Sequence, residues 1–127
     1  MTRARPATLY DLESEDGFKD WVIGQARVDG WRIAHFRPAQ TAHGYRTPVQ
    51  ADGKGFPDLV LVRPPLVIFA ELKSESGRLE PDQKLWRDAL QGCSGVEWFV
   101  WKPHDRDEIC GILRRNAGWH PAMGTTP

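Results

Sequence analysis

The chain reads as a small mixed α/β domain, on three observations. Helical apolar spacing opens the sequence and returns twice; four short runs rich in Val, Ile, Phe and Trp stand between; and 127 residues make one domain. Ser14 followed by Glu15 and Asp16 supplies a capping hydroxyl and two acids where a helix begins. Phe18, Trp21, Val22, Gln25 and Ala26 follow at helical spacing, and Asp29-Gly30 is the stop signal. Residues 31–36 read as a strand. Residues 37–56 show no clean period and are broken by glycine and proline, the pattern of a long loop that is either functional or disordered. Strand-like runs at 58–63 and 66–73 are separated by Pro64-Pro65 alone, which cannot continue a ladder and so predicts a tight reversal. Glu80-Pro81-Asp82 opens a second helix with Leu85, Trp86, Ala89 and Leu90 as its apolar stripe, and Gly92 and Gly95 bracket its end. A last strand at 96–101 and a helix at 105–115, with Ile109, Ile112 and Leu113 inward, complete the order α-β-β-β-α-β-α.

Composition narrows the function classes. Lys plus Arg is 17 and Asp plus Glu is 17, so the net charge is zero. That balance argues against a nucleic-acid coat protein or a polybasic membrane binder. The longest apolar run, residues 66–70, is far too short to span a membrane, and no apolar run follows the basic N-terminus as a secretory signal would require. A cytoplasmic location is expected. Cys93 and Cys110 have no metal-site spacing and read as free core thiols. Residues 1–13 and 118–127 look like flexible ends around a core at about 14–113.

The chemistry sits on the central hairpin. With the reversal centred between Pro64 and Pro65, Asp58 falls opposite Glu71, and facing residues have Cβ atoms about 4.5–5.5 Å apart. Lys73 lies on the same face, diagonal to Asp58. Two facing carboxylates repel, so a proton, Lys73 or a divalent cation must compensate them. Mg²⁺ prefers oxygen ligands and is often held by one or two carboxylates, with waters and substrate phosphate completing its shell. With a lysine beside it, the cluster contains the parts of metal-assisted phosphodiester hydrolysis. A solvated Asp/Glu/Lys triad on a sheet face is the bland alternative.

Neighbouring residues shift that balance. Gly55-Phe56-Pro57-Asp58 and then Glu71-Leu72-Lys73 resemble the PD-(D/E)XK nuclease signature. With Leu59, Ser74, Gly77, Arg78, Leu79, Pro81 and Gln83 added, the pattern is similar to the VRR-NUC branch of that superfamily, the small stand-alone type of phages and bacteria. Ser14, Glu15, Phe18 and Gly30-Trp31 resemble the opening helix and first strand of the same domain; no Val-Arg-Arg triplet occurs, its nearest echo being Leu61-Val62-Arg63. The resemblance implies a restriction-endonuclease-like core, a mixed β-sheet flanked by helices. It implies Asp58, Glu71, the backbone carbonyl of Leu72 and Glu15 as ligands of Mg²⁺ or Mn²⁺, Lys73 as catalytic lysine, and Gln83 as a polar residue pointing in from the next helix. A metal-dependent endodeoxyribonuclease follows, similar to structure-selective resolvases of Holliday junctions. Its partner would be branched DNA, and a symmetric junction, needing two cuts, would require a homodimer. Flaps, ends or short duplex sites are alternative substrates, and a non-catalytic DNA-binding accessory protein is the alternative class.

Other residues have simpler readings. His35 and His43 more often pack or hydrogen-bond than act as bases. Trp21, Trp31, Trp86 and Trp98 fall on apolar faces and read as core, Trp101 and Trp119 less plainly so. Between Arg27 and Lys54 five basic residues face two acidic ones, whereas residues 51–100 carry six basic and eight acidic groups. The basic excess thus precedes the segment that would hold the metal. Arg37, Arg46, Lys54 and Arg78 are the expected phosphate contacts. Charge reversal at Arg46 and Lys54 together should weaken DNA binding and flatten its salt dependence, measured by titration at several ionic strengths.

Overall fold

A computed structural model describes residues 14–36, 39–41, 44–46 and 50–116, with backbone alone for 39–41 and 44–46. Helix α1, Glu15–Val28, starts at Ser14, whose hydroxyl accepts the N–H of Gly17 at 3.0 Å. Asp29 ends it, and Gly30, with φ at 86°, turns the chain into β1, Arg32–His35. Strands β2 (Ala39–Thr41) and β3 (Gly44–Arg46) pair antiparallel as a separate ribbon. That ribbon corrects the expectation of a loop throughout 37–56. Strands of three residues hold at most one alternation, too little for a period to show.

Strands β4 (Leu59–Arg63) and β5 (Leu66–Leu72) form the predicted hairpin in the predicted register, Leu59 opposite Ala70 and Arg63 opposite Leu66. Pro64-Pro65, joined by a cis bond, makes the two-residue reversal. Helix α2, Pro81–Gln91, then carries the chain to β6, Glu97–Trp101, which pairs parallel with β5. The sheet is mixed, in the order β1-β4-β5-β6. The last helix is shorter than the 105–115 expected: a 3-10 turn, Pro103–Asp105, leads into α3, Arg106–Leu113. The Asp105 carboxylate accepts the N–H of Lys102 at 2.8 Å and closes that tighter turn.

One sheet face makes the core. Leu59, Leu61, Ile68 and Ala70 alternate onto it and meet Phe18, Val22 and Ala26 of α1 and Ile109 and Leu113 of α3. Burying each Leu or Ile there contributes about 1.5–3 kcal/mol. On the other face Phe56 meets Phe36, Phe69 and Trp86 edge-on, with ring centroids 5.6, 5.9 and 5.0 Å away, and so joins α2 to the sheet. Helix α2 buries no residue fully, and Leu85 is 67% exposed, so its stripe is only partly covered. Trp21, Trp86 and Trp98 are half-buried, not core, while Trp101 is the largest fully buried side chain among the described residues. The thiols also differ from expectation: Cys93, just past α2, is exposed and Cys110 half-buried, both free. Among the described residues no helix is long and apolar enough to cross a membrane.

Arg63 closes the edge of this core. Its guanidinium lies 4.6 Å over the Trp31 ring and donates to the carbonyls of Asp29 at 2.6 Å and Leu113 at 2.9 Å, and also to that of Arg115. Helix C-termini leave carbonyls without intrahelical partners, and one planar cation here serves those of α1 and α3 together. The Trp31 indole adds a bond to the Leu113 carbonyl at 2.9 Å. Arg63→Ala should cost about 2–3 kcal/mol in a denaturant titration, and Arg63→Lys should recover little, since a single ammonium cannot reproduce the fork.

Candidate active site

The β4–β5 hairpin delivers the carboxylates. Pro57 is fully buried and leads into Asp58, one residue ahead of β4. The Asp58 Oδ2 accepts the backbone N–H of Leu72 at 2.9 Å, which fixes that carboxylate against the end of β5. The ladder, continued one rung past Leu59 and Ala70, brings Asp58 opposite Glu71. Glu71 is 3% exposed. Burial pushes its carboxyl up to about 9, and the adjacent Asp58 pushes the same way against the opposing pull of Lys73. With only these groups around it, Glu71 holds its proton at neutral pH.

Helix α2 completes the arrangement. The Gln83 Oε1 accepts the N–H of Glu80 at 2.7 Å, so its amide nitrogen faces inward and donates to Glu71 Oε1 at 2.9 Å. Gly55 shows why the motif before Asp58 begins with glycine. Its φ is 84°, and a Cβ there would lie 2.5 Å from the Asp82 carbonyl carbon and 2.7 Å from its oxygen. No other residue allows the loop to sit so close to the first turn of α2.

Lys73 follows β5 and donates its N–H to the Trp101 carbonyl at 3.0 Å. The next turn is closed by the Gly77 N–H on the Ser74 carbonyl at 3.0 Å, and a Cβ on Gly77 would press to 3.2 Å from that of Lys73. Glu75 ties this turn to the segment after β6, accepting the His104 backbone N–H at 3.2 Å and meeting its Nδ1.

These elements surround an open cleft of about 600 Å³. Asp58, Glu71, Leu72, Lys73 and Gln83 line it from the hairpin and α2; α1 adds Glu15, Asp16 and Lys19, and the end of β1 adds His35 and Phe36. The residues expected to be catalytic or metal-ligating therefore share one cleft. Of the expected phosphate contacts, the two whose side chains are described, Lys54 and Arg78, do not line it. Lys54 pairs with Asp82 at 3.3 Å and lines a second cleft with Leu85 and Trp86, and Arg78 is exposed on its turn without lining either. Arg37 and His43 lie outside the described residues, and Arg46 is placed by its backbone in β3. Lys19 went unnoticed in the sequence. Its signal is a lysine four residues after Glu15 and three before Val22, on the inward ridge of α1.

Among the described residues no group of three or more His, Cys, Asp or Glu side chains gathers as a cation cage. Glu15 shares the cleft without joining the pair. The donors present, two carboxylates and a strand-end carbonyl, nonetheless suit a hard cation that keeps most of its shell as water and phosphate. A mixed sheet flanked by helices, with paired carboxylates and a lysine at neighbouring strand ends, defines a restriction-endonuclease-like domain. The family model of the VRR-NUC domain matches residues 31–103, more than half of the chain, and the chain belongs to that family. Its function is accordingly nuclease-like, in DNA processing. No curated protein matches the chain.

The Glu71 proton makes stability depend on pH. Between 4.5, the ordinary carboxyl value, and about 9 the folded chain keeps a proton that the unfolded chain releases. Metal-free protein should therefore lose stability as pH rises through that window. Glu71→Gln, which cannot ionise, should gain on the native protein by at least about 1.4 kcal/mol between acid and alkaline ends, the worth of one pKa unit, in parallel denaturant titrations.

Proposed function

We propose that this protein is a Mg²⁺- or Mn²⁺-dependent DNA endonuclease of the small stand-alone phage or bacterial kind. In this reading it hydrolyses phosphodiester bonds, prefers branched DNA as Holliday-junction resolvases do, and acts as a homodimer. The observation that carries the reading is the Asp58–Glu71 pair, lining one open cleft together with Lys73.

Asp58 and Glu71, with the Leu72 carbonyl, would hold the cation, and Glu15 stands in the same cleft for a water of its shell. Bound there, the metal would stabilise charge on the phosphate and acidify a water. The chain's own residues do the rest. Leu72 N–H aims the Asp58 carboxylate. Gln83 orients Glu71 by donating to its Oε1. Loss of the Glu71 proton adds a negative charge to the pair, which then attracts a cation more strongly. Lys73 supplies positive charge for the phosphate as it gathers negative charge, or orients the attacking water. Arg37, Arg46, Lys54 and Arg78 would hold the flanking duplex arms.

Junction, flap, nicked and linear DNA incubated with Mg²⁺ and with Mn²⁺ test this reading. Cleavage should require the metal, favour the junction, and fall by about 100-fold or more in Glu71→Ala and in Lys73→Ala. Full activity in either variant overturns the assignment. Preference for flaps or ends would keep the chemistry and change the substrate, and metal binding without cleavage of any DNA would indicate the accessory-protein class.

A further inference from the structure

We infer that Lys19 is a phosphate-binding residue of the cleft, holding a backbone phosphate of the nucleic-acid strand against α1. The inference rests on the nucleic-acid reading of the site and adds a contact outside residues 31–103, the span that the family model matches.

Lys19 is one of two buried charged residues in the described structure, 8% exposed, the other being Glu71. It shares the inward ridge of α1 with Val22 and Ala26, where the helix otherwise buries apolar groups. A desolvated ammonium demands close anionic partners. Among the described residues the partners of Lys19 are poor ones: Asp16 at 3.7 Å and Asp20 at 3.3 Å, both on its own helix, with side chains 84% and 72% exposed. A well-made N–H···O bond between charged groups is about 2.7–2.9 Å long. Both carboxylates are therefore loosely engaged and free to turn to water. What Lys19 does face is the cleft.

The charge in that cleft gives the lysine its purpose. Glu15, Asp16, Asp58 and Glu71 line it, and Lys19 and Lys73 are its two lysines among the described residues. A phosphodiester strand entering there meets carboxylates from both the hairpin and α1. Lys73 is committed to the reacting phosphate at the end of β5. Lys19 supplies the cation on the α1 side, and its stem, packed in the helix ridge, holds the ammonium in place with little rotamer freedom left to lose. On binding, phosphate replaces Asp16 and Asp20 as the partner of Lys19.

Binding measured without cleavage tests this. The full chain, with Ca²⁺ in place of Mg²⁺, is titrated against fluorescein-labelled single-stranded and junction DNA at a series of KCl concentrations. Lys19→Met and Lys19→Gln should weaken binding to both DNAs and lower the slope of log K against log salt by roughly 0.7–0.9, one phosphate contact. Lys19→Arg should keep the native slope. Asp16→Asn with Asp20→Asn should tighten binding when Lys19 is present and change it little in the Lys19→Met background. Thermal melts confirm that each variant is folded; a purely structural role for Lys19 would move the melting temperature and leave the slope alone. An unchanged slope in folded Lys19→Met or Lys19→Gln overturns the inference, as does equal tightening by the aspartate changes in both backgrounds. Absence of metal-dependent cleavage by the native protein would sink the nuclease reading instead, and is scored separately.

Discussion

Two carboxyl groups on one antiparallel rung, one of them almost wholly buried, cannot both ionise unless positive charge joins them. Everything near the hairpin serves or answers that constraint. The two-residue reversal at Pro64-Pro65 sets the register that makes Asp58 and Glu71 neighbours. Leu72 N–H holds one carboxylate and Gln83 holds the other, so neither can relieve the repulsion by swinging away. The repulsion is relieved by the Glu71 proton, which ties fold stability to pH.

The two sheet faces divide the work. One is apolar and closed by α1 and α3, with Arg63 gathering the loose carbonyls of both helices at the end of β4. The other carries a thin aromatic cluster and a helix that buries nothing fully, because α2 is there to present Gln83 more than to pack. Helix α1 takes part in both: its middle residues fill the core while its first turns line the cleft.

Much of this was legible in the residues. The proline pair implied the reversal, the reversal implied the register, and the register implied the carboxylate pair; each step needed only local geometry. The ribbon at β2 and β3 was not legible, because strands that short carry no period. Helix α2 looked like a core helix since its stripe spells one, but a stripe does not report whether anything lies on it. Trp101 was ambiguous at the end of its strand and proved central to the core. Lys19 was hidden by its type, since a lysine on a helix is read as solvated until the ridge it occupies is drawn. The Lys54–Asp82 pairing, which lines the second cleft, joins residues that local spacing cannot connect.

The contact of Gly55 with Asp82 bears on how such an enzyme can diversify. Backbone touches backbone there, so the loop that leads to Asp58 and the turn that presents Gln83 form one rigid piece. The hairpin side of the cleft can be altered only by changing both segments at once. Among the described residues the α1 side has no comparable bracket: Glu15, Asp16 and Lys19 are carried by one helix, and single substitutions there can reshape the cleft while the carboxylate pair stays intact. Changes in which strands are admitted have their easiest route through α1, and changes in the chemistry the hardest one, through the hairpin.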